Sequence, residues 1–130
     1  VIDSGVAPKS LAFWFYRFSN LKNADLSNLD ASHVTSIFYL FVLSTNLTEI
    51  KMPGLTSACS VYKDSFSTCH ELTSLEMPAC DFSSCNDFYN MFNDSGNLKL
   101  DCSDWKVPVN ALHEGFNRLA PGVILPRVWQ

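Results

Sequence analysis

The chain has 130 residues and a formal net charge of −4 at pH 7, and only 17% of its residues are charged. This balance disfavours nucleic acid or an anionic membrane surface as the partner, because both attract basic proteins. No apolar run approaches the roughly 20 residues that cross a bilayer, so no membrane span is expected within the chain. The hydrophobic content of 47% is sufficient for one packed domain, residues 1–130.

The first ten residues, VIDSGVAPKS, begin with Val and carry no positively charged stretch ahead of an apolar one. We therefore expect a processed protein or an excised domain, whose export signal and anchor lie outside this chain. Gly5 and Pro8 break the segment, and we interpret residues 1–10 as an N-terminal cap or edge. The aromatic run at residues 13–16 is interpreted as a lid on the first repeat. An exposed aromatic binding platform is the alternative.

Residues 11–105 contain four copies of one pattern. Phenylalanines mark the copies at spacings of 26, 25 and 26 residues: Phe15, Phe41, Phe66 and Phe92. Six residues after each Phe comes a leucine: Leu21, Leu47, Leu72 and Leu98. Such a period is typical of stacked repeats, in which each unit buries its apolar face against the next.

Each copy changes from one hydrophobic period to another. Ala24 and Leu26 alternate with polar residues, which indicates a short strand with one buried face. Val34, Ile37 and Phe41 fall at i, i+3 and i+7, which favours a short helical turn. The chain is therefore predicted to be an α/β repeat solenoid. It would be a right-handed stack of about four turns of 25–26 residues, each with one short parallel strand and one short helical turn.

The pattern ends after Trp105. Prolines and glycines interrupt the remaining sequence: Pro108, Gly115, Pro121, Gly122 and Pro126. Residues 106–130 are predicted to form an atypical C-terminal cap, because the last repeat has no neighbour to cover it. In this interpretation Phe116 marks a degenerate fifth turn, and Trp129 closes the interior.

Residues 21–37, LKNADLSNLDASHVTSI, resemble the repeat of BspA-like leucine-rich-repeat surface proteins, which runs roughly L-T-S-L-D-L-S-N-x-D-T-S-x-V-T-x-M. Residues 65–72, SFSTCHEL, resemble the link between that family's repeats, M-F-x-x-C-x-x-L. Pro53 and Pro78 depart from the pattern, because they replace the Ser that follows the strand. The resemblance implies a leucine-rich-repeat-like domain of a bacterial protein that is secreted or carried on the cell surface. It also implies adhesion or binding of a protein or host-surface ligand, and no catalytic residues.

The five cysteines follow the repeat register, since four of them replace apolar residues of other copies: Cys59, Cys80, Cys85 and Cys102. A buried free thiol behaves as a small hydrophobic side chain. We interpret these four cysteines and the fifth, Cys69, as reduced core residues. The alternative is one disulfide between Cys59 and Cys85, which share a column in neighbouring copies.

No enzyme site or metal site is predicted. His33, His70 and His113 take three different repeat positions, and no C-x-x-C occurs. Cys69 and His70 are neighbours whose side chains point apart in an extended segment, which disfavours a nucleophile and its base. We expect a monomeric, non-catalytic module that uses no cofactor.

The candidate ligand-binding residues are the polar side chains between the buried strand positions. They are Lys22, Asn23, Asp25, Thr48, Glu49, Lys51, Thr73, Ser74, Glu76, Lys99 and Asp101. We call this set the strand face. Its third column (Asp25, Lys51, Glu76 and Asp101) would place opposite charges on neighbouring strands twice, at Asp25 and Lys51 and at Lys51 and Glu76. A solvated face whose charges merely avoid repulsion is the alternative. The functions considered are a binding or adhesion module and an architectural spacer domain of a larger surface protein.

Overall fold

The computed structural model describes all residues, 1–130. Its β-strands are β1 (Asn23–Asp25), β2 (Glu49–Lys51), β3 (Ser74–Glu76), β4 (Leu100–Asp101) and β5 (Val123–Ile124). One 3-10 helix (Arg127–Trp129) follows, and there is no α-helix. Most of the backbone lies in turns and irregular segments. None of its helical structure is long and apolar enough to cross a membrane.

The strands form two small parallel sheets. β1, β2 and β3 pair in that order, with Ala24 opposite Ile50 and Ile50 opposite Leu75. β4 pairs with β5 in a separate sheet, and β3 and β4 are not paired. In the copy that contains β4, the apolar strand residue Leu100 follows its Phe by eight residues, whereas Ala24, Ile50 and Leu75 follow theirs by nine. The two sheets separate at this shorter copy.

The prediction of an α/β repeat solenoid, with a leucine-rich-repeat-like stack of four strand-and-helix units, is wrong. Residues 37–44 contain two successive turns, in which Leu40 donates its N–H to the carbonyl of Ile37 (3.1 Å) and Ser44 donates its N–H to that of Phe41 (3.0 Å). Tyr39 and Leu43 have φ angles of 56° and 63°, in the left-handed region that a right-handed helical turn excludes. A series of such turns produces the same i, i+3 apolar spacing as a helix. For this reason the spacing was wrongly interpreted as a helical turn.

Parallel backbone hydrogen bonds join five segments that we call the turn ladder: residues 10–17, 36–43, 61–68, 87–94 and 112–119. In each junction, alternate N–H groups of one segment donate to carbonyls of the next. Four bonds form the first junction: Leu11 to Ser36 (3.0 Å), Phe13 to Phe38 (3.0 Å), Phe15 to Leu40 (2.9 Å) and Arg17 to Val42 (3.0 Å). The later junctions repeat this arrangement, so the ladder satisfies backbone groups that the short strands cannot.

The core lies between the turn ladder and the sheets, and a column of phenylalanine rings runs through it. Phe15 and Phe41 stack at 5.2 Å between ring centroids, Phe41 and Phe66 at 6.0 Å, and Phe66 and Phe92 at 5.5 Å. Phe41, Phe66 and Phe92 are fully buried, whereas Phe15 at the end of the column is partly exposed. The column joins the segments through side chains where strand pairing is short.

The terminal residues cover the sheet side of both ends. Ile2 donates its N–H to the carbonyl of Asp25 (3.2 Å) at the outer edge of β1. At the other end, the Trp129 ring stacks on His113 (4.4 Å between centroids) and contacts Phe116 (5.4 Å). Its indole N–H donates to the carbonyl of Pro108 (3.2 Å). Residues 106–130 thus contain the last ladder segment, β5 and the 3-10 helix.

Candidate functional site

The strand face is divided between the two sheets. Nine of its residues lie on or just before the three strands of the first sheet: Lys22, Asn23, Asp25, Thr48, Glu49, Lys51, Thr73, Ser74 and Glu76. The other two, Lys99 and Asp101, lie at the second sheet. Each strand of the first sheet buries only its central residue (Ala24, Ile50 or Leu75), so the residues on either side project from the opposite face.

The first sheet aligns its polar residues in two rows. Asn23, Glu49 and Ser74 pair across the strands in one row, and Asp25, Lys51 and Glu76 pair in the other. Lys51 therefore lies between two carboxylates on strands about 4.8 Å away. No ion pair within 4.0 Å forms in this row, so Lys51 and Glu76 make no close charged contact within the chain.

Asp101 does not continue the charged row. It pairs with Ile124 of β5 rather than with Glu76 of β3. The break between the sheets thus separates Lys99 and Asp101 from the other nine residues of the strand face.

Two carboxylates of the strand face also close the turns that follow their strands. Asp25 accepts the backbone N–H of Ser27 (3.0 Å) and its hydroxyl, and Asp101 accepts the backbone N–H of Ser103 (2.9 Å). The Ser27 hydroxyl, then the Ser27 backbone N–H and the more distant Lys51, hold the pKa of Asp25 below its ordinary value. The same pairing recurs between Asp81 and the backbone N–H of Ser83. This role was not predicted, although the sequence signals it by Asp-x-Ser at the ends of β1 and β4.

Replacing Ser27 with Ala should raise the pKa of Asp25 toward the ordinary value of about 3.9, because the hydroxyl donor is lost. Since the pKa of Asp25 is lower in the folded state, its contribution to stability is present above the unfolded pKa and is lost as pH falls through the folded pKa. The variant should therefore lose less stability on acidification below about pH 4 than the unaltered protein. An NMR titration of the Asp25 carboxyl measures the shift. Ser83→Ala is the control, since it should move Asp81 alone; an unchanged Asp25 pKa in Ser27→Ala would contradict the assignment.

Two shallow grooves meet at Lys51. One, of about 450 Å³, spans the gap between β3 and β4; its lining is Ser27, Lys51, Met52, Leu75, Glu76, Met77, Pro78 and Leu100. The other, of about 180 Å³, lies over Asn23, Ala24, Asp25, Glu49 and Lys51. Enclosed sites for small molecules are deeper and mostly apolar. These grooves are better suited to a segment of chain that lies across the strands.

The larger groove also contains apolar residues, which were not predicted to belong to a binding surface. Met77, Pro78 and Leu100 form its floor beside Glu76. They are accessible because β3 and β4 do not pair. The only sequence signal for this opening is the residue missing from the fourth copy.

A separate cleft of about 430 Å³ lies around Trp105, away from the strand face. It is lined by Ser83, Ser103, Asp104, Trp105, Lys106, Val107, Pro108, Arg127 and Val128. Arg127 and Asp104 form an exposed ion pair at 2.7 Å on its rim. None of the residues of the strand face lines it.

The side chains that could carry nucleophilic chemistry are not brought together. Cys69 is buried, and burial raises the pKa of its thiol to about 12. Its S–H donates to the carbonyl of Phe41 (3.3 Å), just as the Ser95 hydroxyl donates to that of Phe66 (2.6 Å). Cys69 therefore substitutes for a serine that ties neighbouring segments together. No group of three or more His, Cys, Asp or Glu side chains is arranged to hold a metal ion.

The histidines are engaged separately. The His70 ring contacts Asp94 at 3.0 Å on the surface, away from the inward-pointing thiol of Cys69. The Nδ1 atom of His113 lies 2.8 Å from the carbonyl oxygen of Ala111.

All five cysteines are free thiols, so no disulfide joins Cys59 and Cys85. Cys59, Cys69, Cys85 and Cys102 are buried, but Cys80 is only partly so, in contrast to the prediction that all five lie in the core. Burial raises the pKa of Cys59 to about 11 and that of Cys85 to about 12. Thiols with such pKa values carry little thiolate at neutral pH and are poor nucleophiles.

Comparisons with protein-family models, curated proteins and solved structures find no match to this chain. The resemblance of residues 21–37 to BspA-like repeats stays a prediction.

Proposed function

We propose that this protein is a non-catalytic binding module that recognises an extended segment of another protein across its strand face. The observation that carries the proposal is the position of Lys51, which lines both grooves and forms no close ion pair. A charged group that is partly desolvated and unpaired is available for a partner's carboxylate. Glu76 and Asp25 beside it favour a partner that also carries a basic side chain.

The larger groove supplies the apolar part of the proposed contact. Met77, Pro78 and Leu100 lie beside the charged row, so a bound segment would place an apolar side chain on them and polar side chains along Lys51 and Glu76. Interfaces between proteins commonly combine an apolar centre with a polar rim. The absence of an enclosed pocket here favours a protein ligand over a small molecule.

The location of the protein is part of the same proposal. The resemblance of residues 21–37 to BspA-like repeats supports a bacterial protein that is secreted or displayed at the cell surface, where such a module would act in adhesion. A protein or host-surface ligand is consistent with the shallow, polar character of the strand face. The alternative is an architectural spacer domain, which the experiment below distinguishes from a binding module.

The proposal is tested with a random peptide library displayed on phage and selected on the immobilised protein. Peptides that bind the unaltered protein should bind the double variant Lys51→Met, Glu76→Gln at least about tenfold more weakly. This corresponds to a loss of roughly 1.4 kcal/mol of binding free energy. The control is Lys63→Met, Glu114→Gln, which makes the same changes in the turn ladder, at residues that line neither groove, and should leave binding intact. If no peptide is enriched, or if both double variants bind equally well, the spacer function is favoured instead.

A further inference from the structure

The exposed large hydrophobic side chains are all near the two ends of the chain. They are Val1, Val6, Phe13, Trp14, Phe18, Val109, Leu112, Leu119, Ile124 and Val128. None lies between residues 19 and 108. Leu112 and Leu119 in the last ladder segment are 63% and 68% exposed, and Phe13 in the first is 48% exposed. Apolar surface concentrated in this way marks a site of association.

The last ladder segment has backbone donors without a partner. In the preceding segment, Phe88, Asn90, Phe92 and Asp94 each donate an N–H to residues 112–118, at 2.7–3.0 Å. The N–H groups in the equivalent positions of the last segment make no hydrogen bond: His113, Gly115, Asn117 and Leu119. This edge of the ladder therefore presents four donors at two-residue intervals.

The first ladder segment has the complementary acceptors. In the second segment, the carbonyls of Ser36, Phe38, Leu40 and Val42 each accept an N–H from residues 11–17. The carbonyls in the equivalent positions of the first segment accept no hydrogen bond: Ser10, Ala12, Trp14 and Tyr16. The two open edges thus match in number, spacing and hydrogen-bonding sense.

We propose that copies of this protein associate head to tail, with the last ladder segment of one copy pairing with the first ladder segment of the next. The new junction would contain the same four hydrogen bonds as each internal junction. It would also cover Leu112 and Leu119 with the exposed aromatic side chains around Phe13. An exposed edge with unpaired backbone groups is a template for such pairing.

The backbone conformation of the edges identifies a second copy as the occupant. Phe13 and Arg17 in the first segment have φ angles of 62° and 59°, and Gly115 and Leu119 in the last have 70° and 54°. An ordinary extended strand has negative φ throughout and cannot follow such an edge. Another copy of this protein supplies a matching segment, because the left-handed residues of its first ladder segment align with those of the last.

The polarity of the edges determines the kind of assembly. Two donor edges would bring N–H groups against N–H groups, so an end does not pair with an identical end. The contact is therefore heterologous, and it leaves one donor edge and one acceptor edge free in every assembly that does not close into a ring. The assembly would have no fixed number of copies. This proposal differs from the expectation of a monomeric module.

Sedimentation equilibrium over a range of concentrations tests the proposal. The weight-average mass of the unaltered protein should rise continuously with concentration and reach no plateau. Leu119→Lys should raise the dissociation constant about tenfold or more, because it places a charge where an apolar side chain would be covered. Leu43→Lys is the matched control, since Leu43 has the same ladder position and a φ of 63° in an inner segment; it should associate like the unaltered protein.

A mixing experiment tests the head-to-tail sense. Phe18→Lys alters the acceptor end, so this variant and Leu119→Lys should each stay monomeric alone and form a dimer when mixed. Dimers of Phe18→Lys alone, or no dimer in the mixture, would overturn the proposal.

Hydrogen exchange of the unaltered protein gives a measurement that depends on no substitution. The amides of Gly115, Asn117 and Leu119 should become protected as concentration rises, and unchanged exchange with a constant monomer mass would also overturn it.

Discussion

Replacing Phe66 with Ala is expected to lower the free energy of unfolding by about 3–5 kcal/mol, the range for truncating a fully buried phenylalanine. Phe66 has no exposed surface and stacks on Phe41 at 6.0 Å and on Phe92 at 5.5 Å. Its removal leaves a cavity in the middle of the aromatic column, where neighbours on both sides are held by the turn ladder and cannot close the space. Urea unfolding followed by circular dichroism measures the loss.

Phe18→Ala is the matched control for this prediction. Phe18 is 48% exposed and contacts Phe15 edge to face at 5.6 Å, at the end of the column. Its truncation should cost about 1 kcal/mol or less, as is usual for a partly exposed side chain. A loss from Phe66→Ala as small as that from Phe18→Ala would show that the column adds little to stability.

The aromatic column illustrates what could be predicted from the sequence. Fixed spacing of Phe15, Phe41, Phe66 and Phe92 placed equivalent side chains at equivalent positions, and burial of large apolar groups drives them into one interior. The positions of the strands could be predicted for the same reason, because apolar and polar residues alternate along them. Hydrophobic period alone therefore located the strands and the three buried rings of the column, Phe41, Phe66 and Phe92.

The conformation between the strands could not be predicted in the same way. Val34, Ile37 and Phe41 suit a helix, but they suit a series of three-residue turns equally well, because both bring every third or fourth residue to one side. The distinction depends on left-handed residues such as Tyr39, Leu43 and Asp64, with φ angles of 56°, 63° and 53°. Left-handed conformation is usually signalled by Gly, Asn or Asp. Asp64 gives that signal, but Tyr39 and Leu43 do not.

The candidate site was predicted in part. Alternation identified Asp25, Lys51 and Glu76 as exposed strand residues, and the structure places them side by side. The apolar floor of the larger groove was missed, because it depends on the unpaired edges of β3 and β4. Strand pairing is a tertiary property, and a single missing residue is a weak indication of where it stops.

Replacing Gly122 with Ala is expected to lower the free energy of unfolding by about 1–3 kcal/mol, as for an atom forced into a filled site. A Cβ atom there would overlap the carbonyl oxygen of Leu98 and lie 3.2 Å from Cγ of Lys99. The backbone cannot easily move away, because the Gly122 carbonyl accepts the N–H of Leu100 (2.9 Å). Since β4 and β5 depend on this contact, the amides of Leu100 and Cys102 should also exchange faster in the variant.

Gly54→Ala provides the control for steric overlap. A Cβ atom at Gly54 would lie 3.7 Å from the carbonyl oxygen of Ala79 and 4.0 Å from Cγ of Pro78, which are ordinary contacts. Without overlap, Gly→Ala reduces the conformational freedom of the unfolded chain and is expected to be neutral or to stabilise by up to about 1 kcal/mol. The two variants should therefore differ in sign or by well over 1 kcal/mol in urea unfolding. Equal effects would mean that the close approach of Gly122 to Leu98 does not constrain the second sheet.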